Sequence, residues 1–365
     1  MGIPEKIEAI QEELHRTQVN KHTEHHIGLL KAKIAKLKLE EEVKRNRGGG
    51  SSLGYAVKRS GDATVVLIGL PSVGKSTLVN RLTNTKSKVA GYHFTTLTVV
   101  PGMMDYKGAR IQILDLPGVI KGASSGKGLG RRVLSVVRSA DLILFIVEVL
   151  QTEALSILVE EVRNIGVRPD EKQPKLSIEK TGMDGISVNS SVTMTKMTAE
   201  TIKKVLQEFD MHNARVTVNE DVSYDQLIDV LLQNRKYVPT LKVMNKIDLL
   251  PPEFLKEIRS KLNNDFIPIS ADANINVDQL KEKIYEKLNL IRVFMRPKGE
   301  ETDYEKPMMV KNNASVLDVC NKVHREMKNS LRYAQVSGKS VKYNGQKVGI
   351  THRLMDEDVI TLVTK

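Results

Sequence analysis

Residues Gly69 to Ser76 read GLPSVGKS and match the pattern GxxxxGKS/T of a phosphate-binding loop. The preceding run, ATVVLIGL, has the length and composition of a buried parallel strand, and the following STLVNRL has a helical pattern. A glycine-rich turn without a ligand would not require this strand–loop–helix context. Here the glycines let backbone N–H groups surround phosphate oxygens at a helix N-terminus. The residues assigned to the nucleotide are Gly69, Pro71, Ser72, Val73, Gly74, Lys75, Ser76 and Thr77.

Two side chains of this loop carry the chemistry. Lys75 can neutralise β- and γ-phosphate oxygens, and the Ser76 hydroxyl can bind Mg²⁺.

Asp115 follows the strand ARIQIL and is expected to hold Mg²⁺ through water, while the Gly118 N–H can meet the γ-phosphate. Thr96 is expected to complete the Mg²⁺ shell, with Thr95 as the alternative; the same segment could also be an ordinary β-branched strand. We therefore assign catalytic roles to Lys75, Thr96 and Gly118.

A later apolar run, LKVMNKIDLL, places polar side chains at the end of another strand, where open α/β sheets bind ligands. The Asp248 carboxylate can accept hydrogen bonds from guanine N1–H and the exocyclic amine, a donor pair that adenine lacks. Asn245 and Lys246 complete the motif, and the backbone of Ser270 and Ala271 can close over the base. This arrangement favours GTP and disfavours an ATPase.

The stretch DLPGVIKGASSGKGLG, which begins at Asp115, is typical of a switch that GTP orders and hydrolysis releases. Val119 stands where many switch GTPases have a glutamine that orients water, and valine has no donor or acceptor. Its side chain either anchors the switch or gates it. We expect slow intrinsic turnover, stimulated when a partner orders the segment and brings Arg131 or Arg132 to the phosphate.

Composition limits the class of protein. The chain has 365 residues, 40% of them hydrophobic and 27% charged, with a net charge of +12 and one cysteine, Cys320. The run ADLILFIVEVL is too short to span a bilayer, and the first residues lack the apolar core of a signal peptide. We expect a cytoplasmic monomer without a membrane partner. The excess of basic over acidic residues favours RNA as a partner, although lysine-rich surfaces also increase solubility.

Pattern changes along the chain predict an α/β protein of several parts. Helical stripes near the N-terminus predict a two-helix hairpin that ends in GGGSS, and its lysines either contact phosphates or form a solvated face. After a polar break, SVTMT and ARVTV are predicted strands, TAETIKKVLQEF and SYDQLIDVLLQN predicted helices, and an interaction role is expected for this insertion. Tyr333 and Tyr343, near the C-terminus, either stack on bases or pack. The expected parts are residues 1–60, the hairpin and linker; 61–167 and 238–290, the GTPase domain; 168–237, the insertion; and 291–365, a mixed sheet over one helix.

The segments GLPSVGKST, YHFTTLTVVPG, DLPGVIKGASSGKGLGRR, NKID and ISA, in this order, resemble the Obg-related GTPases. Within these, the chain resembles most the developmentally regulated GTP-binding protein (DRG) family. HHIGLLKAKIAKLK, the late insertion and the C-terminal segments also resemble that family, so the resemblance covers almost the whole chain.

The resemblance implies a P-loop GTPase with an inserted α/β module similar to ribosomal protein S5, and with a C-terminal β-grasp domain, the TGS domain. It implies GTP or GDP and Mg²⁺ as ligands, and the ribosome, rRNA or tRNA and a dedicated regulatory protein as partners. K⁺ is a candidate further cofactor, but Ser72 departs from the Asn that many K⁺-stimulated GTPases have at that loop position, which counts against K⁺ activation here. The alternative function is an RNA- or partner-binding scaffold that keeps GTP as a structural ligand with negligible turnover.

Overall fold

The chain divides into two compact units. One unit combines the N-terminal residues Met1–Gly54 with Glu171–Tyr237, and the other combines Tyr55–Asp170 with Val238–Lys365. We call them the hairpin–insertion unit and the nucleotide unit. The computed structural model describes residues 2–18, 23–47, 60–83, 92–94, 97–116, 136–261, 265–297, 299–324 and 326–364.

The nucleotide unit is built on a seven-stranded sheet with strand order β12-β11-β5-β1-β4-β3-β2. The pairs β1–β4, β1–β5, β11–β5 and β11–β12 are parallel, and β3 pairs antiparallel with β4 and β2. The parallel strands therefore end at one edge of the sheet. The strands are β1 (Ala63–Gly69), β2 (Tyr92–Phe94), β3 (Leu97–Tyr106), β4 (Ala109–Asp115), β5 (Leu142–Glu148), β11 (Thr240–Asn245) and β12 (Ile267–Pro268).

Helices cover both faces of this sheet, which explains its nearly continuous apolar strands. One face packs against α3 (Lys75–Leu82) and α8 (Val277–Leu288). The other packs against α4 (Ala154–Asn164) and α7 (Pro252–Lys261). Phe145 of β5 is fully buried there, and burial of a side chain of this size contributes about 1.5–3 kcal/mol.

A second sheet forms the C-terminal domain of the same unit. Its five strands lie in the order β14-β13-β17-β15-β16, and one of its faces packs on α9 (Val316–Val323) around the buried Cys320. Burial raises the pKa of the Cys320 thiol, in keeping with a packing role. The strands are β13 (Leu290–Met295), β14 (Met308–Lys311), β15 (Leu331–Ser337), β16 (Gln346–Val348) and β17 (Asp358–Thr364), and a short helix, α10 (Met327–Ser330), precedes β15.

The hairpin–insertion unit has a single hydrophobic core to which both of its sequence segments contribute. The hairpin consists of α1 (Ile3–Arg16) and α2 (Glu24–Arg47), and Ala32 of α2 is fully buried in the core of the insertion. Gly28 permits this packing, since a Cβ there would lie 2.1 Å from ring atoms of Tyr224. The insertion contains β7 (Leu176–Lys180), β8 (Ile186–Ser190), α5 (Ala199–Glu208), β9 (Ala214–Val218) and α6 (Tyr224–Leu232), and the short strands β6 (Val167–Pro169) and β10 (Lys236–Val238) flank it in sequence.

The strand predicted at SVTMT is absent: residues 191–195 form bends and irregular backbone. The strands instead lie in the polar stretch before it, where β7 and β8 pair with the two edges of β9. Both are edge strands with mostly exposed side chains. Their sequences are therefore polar, and the apolar alternation that signals a strand is weak. The predicted strand at 214–218 and both predicted helices are present.

Candidate functional site

The loop between β1 and α3 is shaped by two glycines that approach other groups closely. Gly74 has φ of +87° and caps α3. A Cβ at Gly74 would lie 2.4 Å from Asn245 Nδ2, and one at Gly69 would lie 2.4 Å from the Ile146 carbonyl oxygen. Ser72, at the outer bend, also adopts a left-handed conformation with φ of +63°. The loop therefore turns tightly, with the backbone N–H groups at the start of α3 pointing out of the sheet edge.

Lys75 is the buried cation of this loop, with 7% of its surface exposed. Its Nζ donates hydrogen bonds to the carbonyl oxygens of Gly69, at 3.0 Å, and Leu70, at 2.8 Å. Burial lowers the pKa of the ammonium, and the negative charge of Asp115 opposes that effect. A desolvated ammonium of this kind gains most from anionic oxygens placed beside it.

Ser76 and Asp115 form the second polar pair, and they come from different elements. The Ser76 hydroxyl donates to Asp115 Oδ2 at 3.0 Å. Asp115 ends β4 and is 4% exposed. Its other oxygen, Oδ1, is buried and has no hydrogen-bond partner in the part of the chain that the structure describes. A hydroxyl beside a carboxylate with a free oxygen is an oxygen-donor set that fits Mg²⁺.

Asn245 joins the phosphate loop to the segment around Ala271. It ends β11 and is 2% exposed. Its Nδ2 donates to the Val73 carbonyl at 2.8 Å, and its Oδ1 accepts from Ala271 N–H at 3.0 Å. Breaking either hydrogen bond would leave a buried polar group unsatisfied, so this side chain fixes the two loops together.

The remaining residues of the predicted base-binding set lie beside Asn245. Lys246 has φ of +65° and its Nζ lies 3.3 Å from Glu148 Oε2. Asp248 is exposed in a short 3₁₀ turn, Ile247–Leu249. Ser270 is buried, and its hydroxyl accepts from Ala273 N–H at 3.1 Å. The exposed carboxylate at Asp248 is thus available to a ligand.

Two polar residues of the site were not identified from the sequence. Arg81, in the last turn of α3, donates from Nε to the Ala271 carbonyl at 3.0 Å and from Nη2 to the Asp272 carbonyl at 2.9 Å. Glu148, at the end of β5, is the partner of Lys246. Neither belongs to a motif, and the partners of Arg81 lie about 190 residues away. Only the fold brings them together.

The structure thus gathers Lys75, Ser76, Asp115, Asn245 and Ala271 at one edge of the sheet. Val73 is buried, Gly74 and Thr77 are half-buried, and Pro71 and Ser72 are exposed. The predictions for Thr95, Thr96, Gly118, Val119, Arg131 and Arg132 fall on residues outside those that the structure describes.

Three family models match consecutive parts of the chain. The model described as 50S ribosome-binding GTPase matches residues 64–180. The C-terminal region of that domain family matches residues 183–290, and the TGS domain matches residues 291–364. The seven-stranded sheet with its phosphate loop is therefore a P-loop GTPase domain, and the C-terminal sheet is a TGS domain.

Full-length relatives agree with this assignment. The chain is 50% identical to a GTP-binding protein of Methanocaldococcus jannaschii, over 100% of this chain and 94% of the relative. It is 42% identical to developmentally-regulated GTP-binding protein 2 of Homo sapiens, over 100% of both chains. It is 43% identical to developmentally-regulated G-protein 3 of Arabidopsis thaliana, over 100% of this chain and 99% of the relative. The chain therefore belongs to the developmentally regulated GTP-binding protein family of GTP-binding GTPases.

Proposed function

We propose that this GTPase is a slow molecular switch that acts on the ribosome or on rRNA or tRNA of translation. The switch function is supported by the hydrogen bonds of Ser76, Asp115 and Asn245. These bonds connect the phosphate loop to the end of β4 and to the segment around Ala271, which we call the base-binding segment. The ribosomal part is supported by the net charge of +12 and by the description of the family model, which names the 50S ribosome.

In this proposal the phosphate loop holds the nucleotide's phosphates through backbone N–H groups and Lys75. Ser76 and Asp115 hold Mg²⁺ together with Thr96, which sequence reasoning prefers over Thr95. The ion, when bound, withdraws charge from the phosphate oxygens. Burial excludes water from both charges, which strengthens the attraction of Lys75 for the phosphates and of Asp115 for the ion.

Guanine specificity is assigned to Asp248, with Asn245 and Lys246 beside it and the backbone at Ser270 and Ala271 closing over the base. Arg81 holds the segment around Ala271 in place, because its guanidinium donates hydrogen bonds to two consecutive carbonyl groups, those of Ala271 and Asp272. Because α3 begins at the phosphate loop, this contact connects the proposed base-binding segment to that loop.

Hydrolysis is proposed to depend on Lys75, Thr96 and the Gly118 N–H. Val119 offers no group to orient the attacking water, so the intrinsic rate is slow and a partner supplies what is missing. Ser72 lacks the side-chain amide that stands there in many K⁺-stimulated GTPases, so we expect similar turnover in KCl and NaCl.

Co-sedimentation with ribosomes tests the proposal. The full chain is loaded with GDP or with a non-hydrolysable GTP analogue and centrifuged with purified ribosomes. We expect more bound protein with the analogue, and release as salt concentration rises. Equal binding in both nucleotide states, combined with no turnover in the presence of ribosomes, would favour the scaffold function instead.

A further inference from the structure

Glu148 is a carboxylate at the ligand-binding edge of the sheet to which the proposed function gives no role. It is the last residue of β5 and pairs in register with Asn245, the last residue of β11. The Val149 N–H donates to the Asn245 carbonyl at 3.1 Å, which fixes the two strand ends to each other. The carboxylate of Glu148 therefore lies at a fixed place beside the residue that begins the base-binding motif.

The partner of Glu148 is Lys246, the second residue of that motif. Lys246 Nζ lies 3.3 Å from Glu148 Oε2, and the two side chains are 28% and 18% exposed. Such a shielded pair is screened less by water and salt than a pair on the surface. The six register pairs between β5 and β11 already hold these strands together. A role in joining the strands therefore does not explain the ion pair.

The backbone around Lys246 is held by other contacts. Lys246 has φ of +65°, a left-handed conformation that is uncommon for residues other than glycine and persists only where the surroundings enforce it. The Leu249 N–H donates to the Lys246 carbonyl at 3.1 Å, and the Ile247 N–H donates to the Ile269 carbonyl at 3.2 Å. The turn thus fixes the Lys246 backbone, whereas Glu148 determines where its ammonium lies.

Asp248 is the competing partner for this ammonium. It follows Lys246 by two residues in the same short turn and is exposed, and no ion pair among the described residues involves it. The flexible four-carbon stem of a lysine can bring its ammonium to a carboxylate this close in the chain. A pair between Lys246 and Asp248 would occupy the oxygens that guanine N1–H and the exocyclic amine require.

We propose that Glu148 is a positioning residue for guanine recognition. Its shielded carboxylate attracts the Lys246 ammonium more strongly than the exposed carboxylate of Asp248 does. The ammonium therefore stays at Glu148, and Asp248 stays open for the base. The inference rests on the proposed function in taking Asp248 and Lys246 as base-binding residues, and it adds the residue that keeps the two apart.

Affinities for GTP and ITP, measured on the full chain, test this directly. The base of ITP lacks the exocyclic amine, so ITP makes one hydrogen bond fewer to Asp248 and depends less on it. Glu148→Gln frees Lys246 to pair with Asp248, and GTP affinity should fall by about two- to fivefold, the range for one partly exposed ion pair. ITP should lose less, so the ratio of GTP to ITP affinity should fall. A purely structural loss would weaken both nucleotides equally.

Two further variants separate the charge of Glu148 from the shape of the site. Glu148→Asp keeps the negative charge and should retain a ratio of GTP to ITP affinity close to that of the wild type. Glu286→Gln removes a carboxylate that pairs with Lys283 on α8 at 2.8 Å, and it is the matched control. We expect this control to leave both affinities unchanged.

A double-mutant cycle tests whether Glu148 acts through Lys246. Lys246→Ala alone should weaken GTP binding, because the lysine belongs to the base-binding motif. In the Lys246→Ala background, Glu148→Gln should cause no further loss, since no ammonium remains to be held. A further loss of GTP affinity in that background would assign Glu148 a role independent of Lys246 and would overturn the inference.

The inference also fails if Glu148→Gln leaves GTP affinity unchanged or weakens GTP and ITP equally. If Lys246→Ala and Asp248→Asn still weaken GTP binding in that case, only the role of Glu148 is wrong. If neither of these two variants changes GTP affinity, the assignment of the base in the proposed function fails as well.

Discussion

At the residue scale, the site depends on a few side chains that connect separate loops. Asn245 links Val73 to Ala271, and Arg81 links α3 to the same segment. The motif residues were predictable from the sequence because phosphate loops and base-binding motifs have fixed local spacing. The connecting residues were not, since nothing in the sequence around Arg81 indicates its partners.

Asp248→Asn tests the assignment of the base. The carboxylate is expected to accept from guanine N1–H and the exocyclic amine, and an amide cannot accept from both. We expect GTP affinity to fall by at least about tenfold, equivalent to 1.4 kcal/mol, and affinity for xanthosine triphosphate to rise, because the new amide can donate to its oxo group. Titration of both nucleotides measures this; unchanged GTP affinity would show that Asp248 does not bind the base.

Arg81→Ala tests the connection between α3 and the base-binding segment. Loss of two hydrogen bonds to backbone carbonyls should loosen that segment and accelerate release of GTP and GDP by similar factors, about five- to thirtyfold for 1–2 kcal/mol. Stopped-flow release of labelled nucleotides measures both rates. Arg332→Ala, on β15, removes an exposed arginine elsewhere in the unit and serves as the control. A selective effect on GTP alone would indicate a role at the γ-phosphate instead.

At the element scale, sequence reasoning located the strands and helices with strong apolar periodicity. β1, β4 and β11 are largely buried, and their apolar runs predicted strands. β7 and β8 were missed because half-exposed edge strands have little apolar signal. The shared core of the hairpin and the insertion could not be predicted either, since Gly28 and Tyr224 are distant in sequence and only the folded contact reveals why a glycine interrupts α2.

Gly28→Ala should therefore destabilise the hairpin–insertion unit, although alanine is the better helix former. The added Cβ would overlap the Tyr224 ring, and overpacking of this kind costs about 1–3 kcal/mol. In a Tyr224→Ala background the overlap is gone, and the same substitution should stabilise α2 by about 1 kcal/mol. Hydrogen exchange of α2 and α6 measures both effects. The same sign in both backgrounds would contradict the packing argument.

Lowering the pH should reduce the free energy of unfolding of the TGS domain, because Asp356 becomes protonated. The hydrogen bonds from Arg292 lower the pKa of this carboxyl group below its ordinary value, which is about 3.9. Its contribution to stability is therefore present above that ordinary pKa and is lost as pH falls through the lower, folded-state pKa. Urea unfolding of the full chain and of Asp356→Asn should show a difference in the free energy of unfolding at pH 6 that shrinks towards pH 3. A constant difference would assign the effect to packing.

At the scale of the whole nucleotide unit, the TGS domain contacts the opposite end of the sheet from the phosphate loop. Lys322 pairs with Asp62 at 2.8 Å, and Lys311 pairs with Asp141 at 2.9 Å. Met309 of the TGS domain is buried in the core of the GTPase domain. The seven residues of β1 separate this contact from the phosphate loop, a span of about 23 Å at 3.3 Å per residue. Any influence of the nucleotide on the TGS domain must cross that length of sheet.

No helix within the described residues is long and apolar enough to cross a membrane. The nucleotide site is the one on which both the switch and the scaffold functions depend, and the two differ in whether the bound GTP is cleaved.

Single-turnover hydrolysis of GTP, with and without ribosomes, tests that difference most directly. The wild type should hydrolyse GTP slowly alone and faster with ribosomes. Lys75→Ala and Ser76→Ala should lose nucleotide binding or hydrolysis, because they remove the buried cation and the hydroxyl beside Asp115. Val119→Ala should keep the basal rate, since neither side chain can orient water. Undiminished hydrolysis in Ser76→Ala, or a wild type that binds GTP and never cleaves it even on ribosomes, would contradict the switch function proposed for this protein.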